Sequence, residues 1–242
     1  MSRICMTALA FLFSFQLVQG KDFQKSYTLA PGGQIFIDNF LGDVTIRGFK
    51  GDSIEISANK KGEDRDKIEI LDSSLPYRID IRLRPPLVPV KDARVDFEVR
   101  VPESVEYNFA RISSFGGNVD ISSVVGQLNA ESVRGNVALK DVRGLVNASS
   151  FSGNIRVDIG KAQERSNMRF SSISGNIDVS APANLDAVVD ISCSSGLLRT
   201  DFPLEVQEWR YGPARSARGR LGGGMQTLRI RSVSGRVNLT KN

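Results

Sequence analysis

Between residues 117 and 153 glycine returns at every ninth position, as Gly117, Gly126, Gly135, Gly144 and Gly153. Alternate members of the series belong together. Gly117, Gly135 and Gly153 are followed by Asn118, Asn136 and Asn154, whereas Gly126 and Gly144 are followed by Gln127 and Leu145. The true period is therefore eighteen residues, built from two unlike halves. Identities that recur two units apart are what a stacked coil requires, because each side chain then lies on its own copy in the next turn of chain.

Around each glycine the pattern reads apolar-x-Gly-x-apolar-x-apolar. Phe115, Val124, Val133, Val142 and Phe151 precede it by two, and Val119, Leu128, Val137, Val146 and Ile155 follow it by two. Strict alternation predicts strands with one buried face, carrying all of these residues and the glycines inward. Ala130 and Ala148 make every second strand slimmer. An odd unit of nine forces a reset of parity at a turn. The phrase returns as Ser174-Gly175-Asn176, 22 residues past Gly153, with Met168 and Phe170 inside and the extra residues near Lys161–Arg165. Gly42, Gly196 and Gly235 extend the pattern in both directions. Ser114, Ser132, Ser150, Ser172, Cys193 and Ser232 each stand three residues before a marked glycine. This column predicts a ladder of small side chains in which Cys193 replaces a serine.

Upstream, YTLAPGGQIFIDNF, SIEISANKKG and RVDFEVRVPES (94–104) alternate as strands. KKGEDRDK (60–67) reads as a charged surface turn, and LRPPLVPV (83–90) carries too many prolines for a central strand. The fold expected is all-β: a stacked, β-helix or solenoid-like repeat of about eighteen residues per coil. Residues 21–242 read as one repeat domain, with N-terminal strands over 26–104 and the regular repeat over 105–242. The competing architecture is an antiparallel β-sandwich, whose strands also suit a nine-residue spacing. Exposed solenoid ends need caps, and the N-terminal strands and closing SGRVNLTKN are the expected ones.

The opening APGGQIFIDNFLGDVTIRGFKGDSIEISA, the passage VDFEVRVPESVEYNFARISSFGGNVDI and the recurring SGNI/SGNV phrase resemble the DUF4097-type adhesin family of bacterial β-strand-repeat proteins. The resemblance covers about residues 30–240. It implies an all-β domain of short stacked strands and attachment at a cell surface, and it carries over no catalytic residues.

Residues 1–20 have the layout of a secretory signal peptide: one basic residue, an apolar run TALAFLFSFQLV, and a small residue before polar KDFQK. The run is short for a membrane span; an uncleaved anchor is the competing reading. The protein is thus expected in the periplasm or outside the cell, with no transmembrane segment after cleavage. Cleavage removes Cys5 and leaves Cys193 without a disulfide partner. Of 32 basic residues it removes only Arg3, leaving 31 against 27 acidic, a mild balance of +4.

The sequence has no His and, after cleavage, one Cys. Ser-His-Asp and Cys-His sites, His-containing zinc sites and thiolate clusters are excluded. GRLGGGM (219–225) lacks the Lys-Ser/Thr of a phosphate loop and reads as a turn. Calcium rolls need an acid in every repeat, but Asp120 gives way to Ala138 and Arg156. No catalytic, cofactor or metal residue is assigned. A membrane β-barrel is disfavoured by outward Asp120, Asn129, Arg156 and Asp178. Glu63, Asp64 and Asp66 lie in a Lys/Arg-laced turn and read as solvated. The Asn118, Asn136, Asn154 and Asn176 column has two readings, an external binding column and, as the plainer one, a structural ladder whose amides satisfy neighbouring backbone.

One tract suits a partner: EWRYGPARSARGR (208–220), with Trp209, Arg210, Tyr211, Arg215, Arg218 and Arg220. Arginine forks beside aromatic faces fit acidic glycans or lipid phosphates; nucleic acid is not expected of an exported chain. The bland reading is a solvated loop whose aromatics pack on the solenoid flank. Together these features indicate an exported, non-enzymatic, adhesin-like binding or scaffold module. Its partners would be envelope polysaccharide, lipid head groups or a surface protein. The competing function is a β-helical polysaccharide-cleaving enzyme.

Overall fold

The computed structural model describes residues 22–84, 88–160 and 167–242. The proposed signal peptide and the Lys161–Arg165 insertion lie outside the described residues. The N-terminal strands are β1 Phe23–Tyr27, β2 Gln34–Asn39, β3 Val44–Phe49, β4 Ile54–Lys61, β5 Glu69–Asp72, β6 Arg78–Arg84 and β7 Arg94–Pro102. The repeat proper contains β8 Glu106–Ser114, β9 Val119–Ser132, β10 Val137–Ser152, β11 Ile155–Asp158, β12 Asn167–Ser174 and β13 Ile177–Ala181. It closes with β14 Ala187–Ser195, β15 Leu198–Thr200, β16 Val206–Glu208, β17 Arg215–Leu221, β18 Gln226–Ser234 and β19 Val237–Lys241. The charged turn after β4 holds one short 3-10 turn, Arg65–Lys67.

The register is the one the period requires. β9 and β10 run parallel, pairing Val137 with Val119, Gly144 with Gly126 and Ser150 with Ser132, each eighteen residues apart. The column continues as Ile155, Ile177, Val237 and Leu198. The inner strands are parallel, so the antiparallel sandwich is excluded; antiparallel pairing is confined to the flanks, at β1–β4, β4–β7, β5–β6, β14–β17 and β16–β17.

Each coil contributes one strand to each of two layers. A first layer runs β5-β6-β2-β8, the second halves of β9 and β10, then β12-β18-β14-β17-β16. A second layer runs β1-β4-β7-β3, the first halves of β9 and β10, then β11-β13-β19-β15. Val119, Ile155 and Val237 from the second layer and Ile112, Phe170 and Ile230 from the first are all 0% exposed. Among the described residues no α-helix lies beside them, and the two inward faces cover each other.

The corner between layers lies at residues 123–126 and 141–144. Ser123 and Asp141 adopt φ 56° and 49°, and Gly126 and Gly144 φ 134° and 110°. These left-handed steps reset the parity, so Val124 and Val142 stay inside at 1% and 7% exposure. The other corner corrects the expected alternation. Ser114 and Gly117 both point inward although three residues apart, and the residue between strand and glycine is flung out. Phe115, Val133 and Phe151, expected inside, are exposed at 43%, 37% and 58%.

The coil order also departs from the chain order. β18 inserts between β12 and β14, and β19 between β13 and β15. The closing SGRVNLTKN is thus an interior coil, not a cap. The caps at that end are β14–β17, with the three-residue edge strands β15 and β16; short edges offer little template for aggregation.

Candidate binding surfaces

The marked glycines sit so close that their turns exclude any side chain. A Cβ on Gly135 would lie 2.0 Å from the Gly117 carbonyl oxygen, and one on Gly153 2.2 Å from that of Gly135. The serine column closes each step. The hydroxyl of Ser132 accepts from the Gly135 N–H at 2.8 Å and donates to the Gly117 carbonyl of the preceding coil at 2.9 Å. Ser114, Ser150 and Ser172 donate to the carbonyls of Gly42, Gly135 and Gly153 at 2.7, 3.1 and 3.3 Å. Ser232 departs from the series, its buried Oγ lacking a partner among the described residues. Cys193 donates its thiol to Gly235 O at 3.2 Å, taking the serine place. Burial pushes its pKa up, which disfavours the thiolate a nucleophile needs.

The asparagine column is a second ladder, on the outside. Asn118 Oδ1 accepts from the Asn136 N–H, Asn136 Oδ1 from Asn154, Asn154 Oδ1 from Asn176, and Asn176 Oδ1 from Arg236, each at 2.9 Å. The carbonyl half of each amide is consumed by the scaffold. The Nδ2 donors of Asn154 and Asn176 have no partner among the described residues and face outward.

The 208–220 tract is a β-hairpin rather than a loop. β16 pairs antiparallel with β17, and Trp209 N–H donates to Ala214 O at 2.9 Å. The structure splits its six candidate residues. Trp209 and Tyr211 project from the tip, 72% and 87% exposed, instead of packing on the flank. Arg210 lies 5.9 Å from the Tyr211 ring centroid. Arg215 points back: it pairs with Glu208 at 2.9 Å and donates to the Gly196 carbonyl. Gly196 is the end of the glycine column, so Arg215 supplies the donor that the next serine would have given. Arg218 binds Asp190 at 3.0 Å. Arg220 is exposed along β17.

Two further surfaces lie on the outside of the stack. The outward corner residues align into an apolar row, Phe40, Phe115, Val133, Phe151, Ile173 and Val233, exposed between 37% and 58%; Phe40 and Phe115 stack with centroids 6.0 Å apart. On the outer face of the second layer, a polar pocket of about 440 Å³ lies beside the asparagine ladder. Phe115, Val133 and Phe151 of this row stand out in the sequence as apolar, but strict alternation assigns them to the inward face.

Of the carboxylates in the 60–67 turn, Asp66 is solvated, its side chain 90% exposed, and Asp64 is structural. Asp64 accepts from Lys67 Nζ at 2.6 Å and from the Lys91 and Asp92 N–H groups at 2.9 and 3.3 Å, which together hold its pKa down at about 2. Among the described residues no three His, Cys, Asp or Glu side chains converge as a metal site, and no helix is long and apolar enough to cross a membrane.

The Toastrack DUF4097 family model matches residues 33–240. No protein of curated function shows significant similarity. Among solved structures, a candidate cell-adhesion protein of Clostridium sporogenes aligns with TM-score 0.51 at 13% identity, covering 91% of this chain and 99% of its own. A candidate adhesin of Bacteroides fragilis gives TM-score 0.44 at 12% identity over 89% and 96% of the two chains. The first likeness shows a shared fold.

Proposed function

The chain belongs to the Toastrack DUF4097 family, and from that premise we propose that it is an exported, non-enzymatic binding module of the cell envelope. Its architecture serves display. The interior is filled by apolar columns and the backbone of each turn is satisfied by its neighbour, leaving the outward side chains in fixed rows. The reading agrees with the designation of the Clostridium sporogenes neighbour as a candidate cell-adhesion protein.

The observation that carries the proposal is the tip of the β16–β17 hairpin. Trp209 and Tyr211 expose 72% and 87% of their surface and have no packing role. Large aromatics held in water on a rigid hairpin are what binding hot spots are made of, and Arg210 adds a cation beside them.

The test is co-sedimentation of the purified protein with bacterial envelope fractions. Wild type should pellet with the envelopes, and Trp209→Ala/Tyr211→Ala should bind at least tenfold more weakly while melting at the same temperature. Undiminished binding by the double variant, or none by wild type, refutes the proposal. Release of reducing ends from cell-wall or capsular polysaccharide would instead establish the enzyme.

A further inference from the structure

The outer face of the second layer carries a charge-lined trough that the hairpin reading leaves unused. Its floor is Ala138, the one small residue in an outward column that otherwise reads Thr45, Asp120, Arg156 and Asp178. The gap left by that missing side chain opens in two directions. Toward the asparagine ladder is the pocket of about 440 Å³, bounded by Asn136, Asn154 and Arg236. On the other side is one of about 420 Å³, bounded by Arg47 and Lys140. Both share Asp120, Ala138 and Arg156, so they form one trough crossing the coils.

Its basic charges are unspent, whereas the Asp178 and Asp158 carboxylates that also line it accept from the Asn238 and Asn242 amides. Arg47, Lys140, Arg156 and Arg236 make no side-chain ion pair or hydrogen bond with the described residues, unlike Arg94, Arg100 and Arg218 elsewhere on the surface. Asp120 is likewise without a hydrogen-bond partner among the described residues. Burial and the nearby Asp43 raise its pKa, and Arg47 opposes them. Outward amide donors line one wall. A ligand must therefore supply anions for the guanidinium and ammonium groups, and hydroxyls for Asp120 and the asparagine amides. No aromatic ring lines the trough, so it lacks the stacking platform that bases need. Planar guanidinium groups suit carboxylates in bidentate geometry.

We propose that this trough binds an acidic polysaccharide, its carboxylate-bearing hexuronic acid units lying across Ala138 between Arg156 and the asparagine ladder. The site lies on the opposite layer from the β16–β17 hairpin and does not depend on it.

The test is calorimetric titration of the full chain with oligogalacturonate, oligomannuronate and hyaluronate. Dextran serves as a hydroxyl-only control, polyglutamate as a carboxylate-only control, and phosphatidylglycerol vesicles as the lipid alternative. At least one uronate should bind, both controls should bind at least tenfold more weakly, and added salt should weaken the interaction. Arg156→Gln should lower affinity at least tenfold. Ala138→Phe, which fills the floor from the solvent side, should do the same, and both variants should melt within a few degrees of wild type. The Trp209→Ala/Tyr211→Ala protein should bind uronate normally. Binding of no uronate, equal binding of polyglutamate, or vesicle binding that Arg156→Gln abolishes overturns the inference. Loss of uronate binding in the hairpin variant but not in the trough variants overturns it too, while leaving the binding-module reading intact.

Discussion

Replacing Gly135 by Ala adds one methyl group to a turn with no room for it. The new Cβ would sit 2.0 Å from Gly117 O, 2.4 Å from Gly117 C and 2.9 Å from Asn118 N. All three atoms are backbone, so no side chain can swing aside. Reaching an ordinary contact of 3.4 Å requires the two turns to part by about 1.4 Å, in a stack whose strands are spaced at about 4.8 Å. A separation of that size breaks the hydrogen bonds that cross it. These are Ser132 Oγ to Gly117 O at 2.9 Å, Asn136 N to Asn118 Oδ1 at 2.9 Å, and Val119 N to Asn136 O at 2.9 Å. At about 1 kcal/mol each, with the buried Gly117 carbonyl left unpaired, the loss is about 3–5 kcal/mol. That is a large share of a typical stability of about 5–15 kcal/mol, and for a chain of this size it lowers Tm by about 6–20 °C. Gly116→Ala is the matched control: its Cβ meets nothing closer than Phe40 O at 3.8 Å, so a change within about 0.5 kcal/mol is expected. Thermal melting followed by far-UV circular dichroism decides between them. A Gly135→Ala protein melting within about 3 °C of wild type would refute the claim that backbone proximity in the glycine column sets the repeat.

Other consequences follow from the same ladders. Cys193→Ser keeps a donor to Gly235 O and should melt within a few degrees of wild type; Cys193→Val leaves that buried carbonyl unpaired and should cost about 1–3 kcal/mol in a denaturant titration. Arg215→Ala should lower Tm by several degrees because Gly196 O loses its donor, whereas Arg210→Ala at the exposed tip should leave Tm unchanged; equal effects would contradict the division of roles. Asp72 loses solvation on folding, but Lys25 at 2.6 Å, together with Ser74 and Tyr27, more than compensates and holds its pKa at about 2. A depressed carboxyl pKa stabilises above the unfolded value and loses that contribution as pH falls through about 4 to 2. Asp72→Asn should therefore be less stable than wild type at pH 7 and converge on it toward pH 2, as read by melting across that range; parallel pH profiles would refute the clamp.

Much of the fold was legible in residue identities because a stacked coil repeats its constraints. Gly117, Gly135 and Gly153 recur at eighteen because each turn presses on the one before, and Ser132 and Ser150 recur because each must reach the preceding carbonyl. Cys193 was recognisable as a serine substitute by its place in that column alone. The candidate site was less legible. Trp209 and Arg215 are six residues apart in the same basic tract, yet one projects into water and the other caps the interior ladder, and composition does not distinguish them.

The sequence by itself determined the coil length, the apolar columns and the small-residue ladder, since all three are contacts between a residue and its own copy. Only the tertiary structure decided which way Phe115, Val133 and Phe151 face, because two glycine corners with the same local alternation turn differently: one uses left-handed backbone at Ser123 and Gly126, the other a tight step from Ser114 to Gly117. It alone also placed β18 and β19 inside the stack, because every coil offers the same parallel edge and the repeat pattern does not distinguish one slot from another. The trough over Ala138 has the same origin: four basic side chains, from residue 47 to residue 236, become one site only when the coils are laid in order.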